Sequence, residues 1–471
     1  MLLTNNQSDI ILDKNQLAEI FISGCKTKES IGVESEKLLI YRNNFKAVKY
    51  DDVVKILESF SEDKWQRVYE NNNLISLKSN IGVITLEPGS QVELSLAPFE
   101  NLDEITTHLM NFYTELSIYA DRIGAMVLDS GIQPVSTFED IKIIPKSRYK
   151  YMTNYLPTKG LTPFVMMRET AGIQANFDYK SEEDAIRKLS LALKMSPIIS
   201  AIYANSPIRG GKVSGCKSYR AYSWLNVDED RCGYIHHKLF EKNTRFTFMD
   251  YVEVLLDVPM IFVQRGKTCF PTNQTFREFM RDGLLGIHAN MEDWYNHLSL
   301  YFPDVRLKSY VEIRNHDAQN PVMTFSVPAF WKGIIYNPEA MEEIENILSK
   351  YEYEDYLQLR KTTPVVGIDA KLGNLPVIDL VKEFFDISYA SLRANKKSEQ
   401  KYLEPVYEYI SLKRVPAEKL IDDFKFLIWF FLIYKNKIAR EINLSLFLDL
   451  FNLTHQAIMC CLQHLQYLYQ T

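Results

Sequence analysis

The sequence predicts an α+β fold, an antiparallel sheet with one polar face backed by helices. Three observations predict it. Several segments alternate polar and apolar residues with period two, the pattern of a half-buried strand. Between and after them run segments with apolar residues spaced by three and four, the pattern of a helix packed on a core. The outward faces of the strands carry Glu, Arg, Gln and Asn, not merely the Lys, Glu and Thr of a wet surface. Antiparallel sheets commonly pack one face on helices and leave the other open. Several such faces side by side would line a broad, charged, concave floor.

The 471 residues are 46% hydrophobic and 24% charged, a globular composition long enough for one large domain or two to three smaller ones. A net charge of −6 argues against nucleic acid as the default partner. The N-terminal MLLTNNQSDIILDKNQ lacks the charged start and apolar core of a signal peptide. The longest apolar run, FLIWFFLIY at 426–434, is half of the roughly 18 residues that span a bilayer. Cys25, Cys216, Cys232, Cys269, Cys460 and Cys461 form no CxxC. They read as reduced thiols, and the expected location is cytoplasmic.

In order, residues 1–30 read as a leading helix ending near Gly24. Residues 32–41, GVESEKLLIY, read as a strand on which Glu34 and Glu36 share a face. An acidic pair is repulsive unless a cation or a proton relieves it. A short amphipathic helix (51–65), a turn at Asn71, Asn72 and Asn73, and a hairpin (74–86) follow. The hairpin feeds residues 85–98, TLEPGSQVELSLAP, where Glu87 and Glu93 flank a Pro88-Gly89 turn. Gln91, Glu93 and Ser95 then share one face; Val92, Leu94 and Leu96 share the other. Two carboxylates held near one sheet face suit Mg²⁺, which is usually bound by a few carboxylates plus phosphate. Taken alone, the stretch also reads as a wet strand with surface glutamates.

Residues 101–122 are a core-facing helix by the spacing of Leu102, Ile105, Leu109, Phe112, Leu116 and Tyr119. PKSRYKYMTNY at 145–155 is basic and aromatic, and suits a phosphate or a substrate carboxylate at least as well as nucleic acid. Residues 173–179 alternate, with Gln174, Asn176 and Asp178 on one face and Arg168 just upstream. Ser181 opens a helix to about Tyr203 through a capping-box pattern, and Pro197 is expected to kink or break it. RGGKVSG at 209–215 is a flexible basic loop without P-loop spacing. Residues 218–233 bring Arg220, Trp224, Asp230 and Arg231 close in sequence, the last two also readable as pairing with other charges on a surface loop. VRLKSYVEIR at 305–314 reads as one strand, with Arg306, Lys308, Tyr310, Glu312 and Arg314 on one face. Residues 340–424 are helical by pattern, punctuated by Pro376 and Pro416. Residues 425–471, rich in Leu, Phe and Tyr, read as two short helices that pack on the body or form an oligomer contact. Membrane association through 426–434 is the less favoured reading.

At these strands the sequence resembles glutamate–cysteine ligase of the plant and proteobacterial type, from about residue 15 to 424. The blocks that carry the resemblance are GVESEK (32–37), ITLEPGSQVELSLAP (84–98), PKSRYKYMTNYLP (145–157), QANFDY (174–179), ANSPIRGGKVSGCKSYRAYSW (204–224), DVPMIFV (257–263), and VRLKSYVEIR with PAFW (305–331). The resemblance implies a curved antiparallel sheet funnel flanked by helices, a glutamine-synthetase-like catalytic fold. It implies a catalytic domain, taken as 1–424; the apolar helical C-terminal extension at 425–471 lies outside the resemblance. It implies that ATP phosphorylates the γ-carboxylate of L-glutamate and that the amine of L-cysteine attacks the acyl phosphate, with Mg²⁺ neutralising phosphate charge.

By the same resemblance, Glu34, Glu36, Glu87, Glu93 and Glu312 would bind Mg²⁺. Arg306, Lys308 and Arg314 would face phosphates, with Lys146, Arg148 and Arg231 as further anion contacts for ATP. Arg168 and Arg220 would hold substrate carboxylates, since the planar fork suits bidentate binding. Gln174, Asn176 and Trp224 would line the amino-acid pockets. There are departures. The family usually has glycine where Ser90 and Leu96 stand, commonly has histidine where Ser35 stands, and continues glycine-rich after Arg314 where this chain reads NHDAQNPVM. These put the acceptor amine in doubt. A γ-glutamyl ligase for another amine, and a non-catalytic relative working as a binding or assembly module, stand as alternatives. No dead-enzyme signature accompanies them, because all five glutamates are present.

Overall fold

A computed structural model describes residues 10–11, 13–242, 245–266 and 268–434, with side chains up to residue 426. Its centre is an open nine-stranded sheet: β1 (Ile31–Tyr41), β2 (Gln66–Glu70), β3 (Asn73–Ser79), β4 (Gly82–Leu86), β5 (Val92–Leu96), β6 (Ala125–Leu128), β7 (Gly172–Phe177), β8 (Val305–Leu307) and β9 (Val311–Asp317). The order is β8-β9-β7-β1-β5-β4-β3-β2, with β6 pairing β1 off this path. Every pairing is antiparallel. Strand β1 is the hub: its first half lies between β7 and β5, and its second half pairs β6.

The period-two pattern sorts residues as expected. Val33, Leu94, Ile173, Ala175, Val311 and Ile313 are buried on the covered side. The helices Leu102–Arg122, Glu182–Ile202 and Pro321–Ile335 bury their apolar stripes in the same core. Asn101 and Ser181 cap two of them, accepting from the backbone N–H of Asp103 and Asp184. Burying these side chains, at roughly 25 cal/mol per Å² of apolar surface, is the main force holding helices to sheet.

Four expectations change. The helix from Glu182 runs unbroken to Ile202 with Pro197 inside it; the surrounding core, where Pro197, Ile198 and Ile199 are all buried, outweighs one lost backbone bond. The 209–215 loop is a tight hairpin, Ile208–Arg209 with Lys212–Val213, and Arg209 forms an ion pair with Glu169. Arg231 is no surface residue: it is 1% exposed and paired with Asp228 at 2.5 Å. Residues 305–314 are two strands, not one: β8 and β9 fold back so that Arg306 faces Glu312 across the pair. Their connection, Lys308-Ser309-Tyr310, lacks glycine, proline or asparagine, so the sequence carries no turn signal. The turn is tied by Lys308 N–H donating to the Tyr310 carbonyl and by the Tyr179 hydroxyl donating to the Lys308 carbonyl.

The helix Pro416–Tyr434 runs through the expected domain boundary at 424. The helices expected beyond it, with Cys460 and Cys461, lie outside the described residues. Among the described residues no helix is long and apolar enough to cross a membrane.

Candidate active site

The register aligns the acidic positions. Glu36 lies opposite Glu93, Glu34 opposite Ser95 and Gln174, and Glu312 opposite Asn176. The floor of the open face is a cleft of about 290 Å³. Among its walls are Glu34, Glu36, Glu87, Glu93, Lys146, Arg148, Gln174, Arg220, Trp224, Arg306 and Arg314. Most of the expected site residues are therefore brought together here. Asn176, Lys308 and Glu312 stand beside it: Asn176 donates to Glu34 at 2.8 Å, and Lys308 donates to Glu312 at 3.0 Å.

The turn before β5 shows why these glutamates sit where they do. A side chain at Gly89 would clash with the Arg168 backbone, its Cβ 2.2 Å from the carbonyl oxygen. Ser90 adopts φ +70°, a left-handed conformation that glycine tolerates better. Gln91 locks the turn, donating to the carbonyls of Met167 and Thr170 and accepting from Gly89 N–H. The turn is thereby fixed against the Pro163–Glu169 helix, with Glu87 on one side and Glu93 on the other.

Electrostatics divide the carboxylates into two kinds. Burial pushes the Glu93 carboxyl well above its usual range, and the neighbouring Glu87, Glu34 and Glu36 push it further. Burial also raises Glu36, to about 7, with Glu87 adding and Arg220 opposing. Glu34 is raised by burial and by Glu312. Each keeps a neutral donor: Ser95 Oγ for Glu93, Gly172 N–H and Gln174 Nε2 for Glu36, Asn176 Nδ2 for Glu34. Glu312 is the opposite case. Burial alone would raise it, but Arg306, Lys308 and Arg314 hold it well below the ordinary carboxylate range. All three cations contact it, at 2.5, 3.0 and 3.1 Å.

Several residues with expected roles also have protein partners. Glu312, 0% exposed, is paired with all three of these cations. Arg306, 5% exposed, spends its donors on Glu312 and on the carbonyls of Leu298, Ser299 and Tyr301. Arg231 likewise spends its donors on Asp228, the Leu300 and Pro259 carbonyls, and the Tyr155 hydroxyl. Arg168 turns away from the floor to the carbonyls of Phe138 and Ile141. These arginines are held by backbone carbonyls, 27 to 69 residues away for Arg231 and Arg168 and five to eight residues away for Arg306, and a carbonyl partner has no side-chain signature in the sequence.

Other residues of the floor were not singled out from sequence. Tyr149 donates to Glu87 at 3.3 Å and to the Leu86 carbonyl. Thr85, Met152, Met166, Met167, Thr170, Ser299 and Phe302 also line the floor. Asp317 accepts from Ser206, Ser218 and Asn205 N–H and lies 3.9 Å from Arg220, which donates to the Arg314 carbonyl. Tyr149 stood in the basic-aromatic block, and Asp317 in the stretch after Arg314, but neither carried a spacing that marked it.

Among the described residues, no three acidic, histidine or cysteine side chains are grouped closely enough to hold an ion unaided. The donor set still fits a hard divalent cation. Glu34, Glu36 and Glu93 present oxygen ligands whose mutual repulsion a cation would relieve, and Mg²⁺ commonly needs only one or two protein carboxylates besides phosphate and water.

Fold and floor together define an enzyme of the antiparallel-sheet α+β class, built to handle small charged substrates over a bed of carboxylates. Residues 30–423 match the family model of glutamate–cysteine ligase family 2, and the chain belongs to that family. The chloroplastic glutamate–cysteine ligase A of rice (Oryza sativa subsp. indica) is 37% identical over 439 residues, covering 92% of this chain and 87% of its own. The chloroplastic ligase of Arabidopsis thaliana is 34% identical over 418 residues, covering 87% and 80%. The crystal structure of the Francisella tularensis glutamate–cysteine ligase in complex with AMP shares the fold, with a TM-score of 0.51 at 15% identity over 84% of this chain and 85% of that one. The relatives correct one expectation. They are chloroplastic, against the cytoplasmic location read from the cysteines and the N-terminus. Reduced cysteines indicate a reducing compartment, and that alone does not single out the cytoplasm.

Proposed function

We propose that this chain joins the γ-carboxylate of L-glutamate to the amine of L-cysteine, in an ATP- and Mg²⁺-dependent reaction that makes γ-glutamylcysteine, the first step towards glutathione. The observation that carries the chemistry is the pairing of unrelieved carboxylates (Glu34, Glu36 and Glu93) with a cationic rim on one sheet face. The family membership and the two plant ligases support the choice of substrates.

Glu34, Glu36, Glu87 and Glu93 would hold Mg²⁺, which when bound neutralises phosphate charge. Lys146 and Arg148 in the cleft suit the phosphates of ATP, and Arg148 is steadied by Ser299 Oγ at 3.3 Å. Arg220 and Trp224 suit the charged end of glutamate. Arg314, held by Gln174 and Glu312, would steady the γ-carboxylate as it takes the phosphoryl group of ATP and ADP leaves. The amine of cysteine then attacks the acyl carbon, phosphate leaves, and the attacking nitrogen loses its proton. Lys308 and Arg306 act beneath this surface, fixing Glu312. Met152, Met166 and Met167 keep part of the wall apolar, which strengthens charge interactions by displacing water.

The catalytic unit so proposed is residues 1–424. An assembly role, as a homo-oligomer contact, is proposed for 425–471. Phosphate release from ATP and Mg²⁺ with L-glutamate, adding each amino acid in turn, tests the reaction. Release stimulated chiefly by cysteine, with γ-glutamylcysteine identified by mass, is the expected outcome. Release with another amine would keep the mechanism and change the acceptor. No release from folded protein would overturn the reading.

A further inference from the structure

Each glutamate of the floor takes a neutral hydrogen-bond donor from the protein. For Glu34, Glu36 and Glu93 that donor belongs to the sheet: Asn176, Gly172 with Gln174, and Ser95. Glu87 differs. Among the described residues its carboxylate receives one hydrogen bond, from the Tyr149 hydroxyl to Oε2 at 3.3 Å. Tyr149 lies outside the sheet, on the helix Ser147–Tyr155. That helix carries Arg148, and the residue before it is Lys146, so the donor to Glu87 comes from the segment that brings two cations to the cleft.

Tyr149 is tied at both its ring and its hydroxyl. The side chain is buried, and the Lys146 ammonium sits over the ring at 5.1 Å from its centroid, within cation–π range. The hydroxyl also reaches the Leu86 carbonyl at 3.3 Å, so its proton is directed at two neighbouring acceptors on one turn. Burial, and then the charge of Glu87, raise the phenol well above its usual range, and the hydroxyl remains a donor. The backbone repeats the tie: Ile144 N–H donates to the Pro88 carbonyl, and Ser147 N–H donates to Glu70. The helix cannot shift against the Glu87 turn without breaking these bonds.

A carboxylate that binds a metal ion is itself oriented by a hydrogen bond, and its partner affects metal affinity. Tyr149 engages Oε2 of Glu87, which leaves Oε1 for a cation. Its ring meanwhile steadies the Lys146 ammonium. Phosphoryl transfer needs both kinds of group at a set spacing, a metal ion on the phosphate oxygens and a protein cation beside them.

We propose that Tyr149 is a positioning residue for the metal and nucleotide together: its hydroxyl sets Glu87 for a divalent cation, and its ring sets Lys146 for the phosphates. This rests on the ligase reading above and deepens it.

The test uses the full-length protein stripped of metal by chelation. Mn²⁺ is the probe, and the electron paramagnetic resonance signal of the free ion gives its Kd without nucleotide. Y149F removes one oxygen and keeps the ring; it should weaken Mn²⁺ binding about tenfold, the lower end of the range for a residue that orients a metal ligand. In an E87Q background the same change should add less than about twofold, because the hydroxyl acts through that carboxylate. Y149L removes the ring as well, and should raise KM for ATP at saturating Mg²⁺ about two- to fivefold over Y149F, the worth of a cation–π contact. An unchanged Mn²⁺ Kd in Y149F, or an equal loss with and without Glu87, would overturn the role of the hydroxyl. Equal KM for ATP in Y149F and Y149L would overturn the role of the ring. A wild type that releases no phosphate with any acceptor would instead remove the ligase reading, and the positioning role with it.

Discussion

The same conservative change, glutamate to glutamine, should act with opposite sign at two positions on one sheet face. Glu93 is buried among Glu87, Glu34 and Glu36, with Ser95 Oγ as its hydrogen-bond donor. An ordinary glutamate releases its proton near 4.5. Holding that proton at pH 7 costs about 1.4 kcal/mol per pH unit, so the penalty carried by Glu93 has a ceiling of ~3 kcal/mol. The neutral amide of Glu93→Gln would escape it while still accepting from Ser95, and the metal-free protein should gain about 1–3 kcal/mol. At Glu312 the arithmetic reverses. Three cations lean on one buried carboxylate. Removing its charge leaves Arg306 and Lys308 uncompensated, and breaking a buried pair in this way costs about 3–5 kcal/mol. Urea denaturation at pH 7 in chelator, with phosphate release measured in parallel, reads both. Glu93→Gln should be more stable and inactive; Glu312→Gln should be less stable. A Glu93→Gln protein no more stable than wild type would refute the repulsion on which the floor is built, and wild-type turnover would remove Glu93 from the metal site.

Further outcomes follow from the same geometry. Ser90→Gly relieves a left-handed backbone and should stabilise by about 0.5–1 kcal/mol with turnover unchanged, read by urea midpoint. Glu36 keeps its proton up to about 7 when folded but only to 4.5 when unfolded. Its contribution is therefore full below 4.5 and lost as pH rises to 7. The buried imidazoles of His297 and His316, lowered to about 4 and about 3, act the other way, losing stability as pH falls below 6.5. The stability difference between Glu36→Gln and wild type should isolate the carboxylate: small at about pH 4.5, and in favour of the variant by about pH 8. Gly172→Ala would place a Cβ 2.4 Å from Arg220 Nη2. Arg220 should be displaced and KM for glutamate should rise about tenfold, by steady-state kinetics.

How far the sequence disclosed this can be argued from single residues. Alternation alone put Glu34, Glu36, Glu93, Gln174 and Asn176 on one surface, because strand period is local and rigid. It also kept Arg306, Glu312 and Arg314 on that surface although the strand there is two strands, because the three-residue connection pairs Arg306 with Glu312, an even number apart, and so preserves the alternation. What alternation cannot say is who touches whom. Arg306 and Arg231 look like ligand contacts in sequence, and the structure adds partners that alternation could not show, the carbonyls of residues 298–301 and 259. Tyr149 and Glu87 meet only because a helix and a turn 62 residues apart pack together.

The central position of β1 has a consequence for the order of assembly. Its partners β5 and β6 follow within about a hundred residues, but β7 and then β9 come much later in the chain. During synthesis Glu34, Glu36 and Glu93 are adjacent long before Arg314 and the Glu312 cluster exist. The nascent sheet is thus an anionic half-site awaiting its counterions. Distant pairings are slow to close, and dissolved divalent cations should hasten this one, so that the Mg²⁺ proposed for the site would also aid folding.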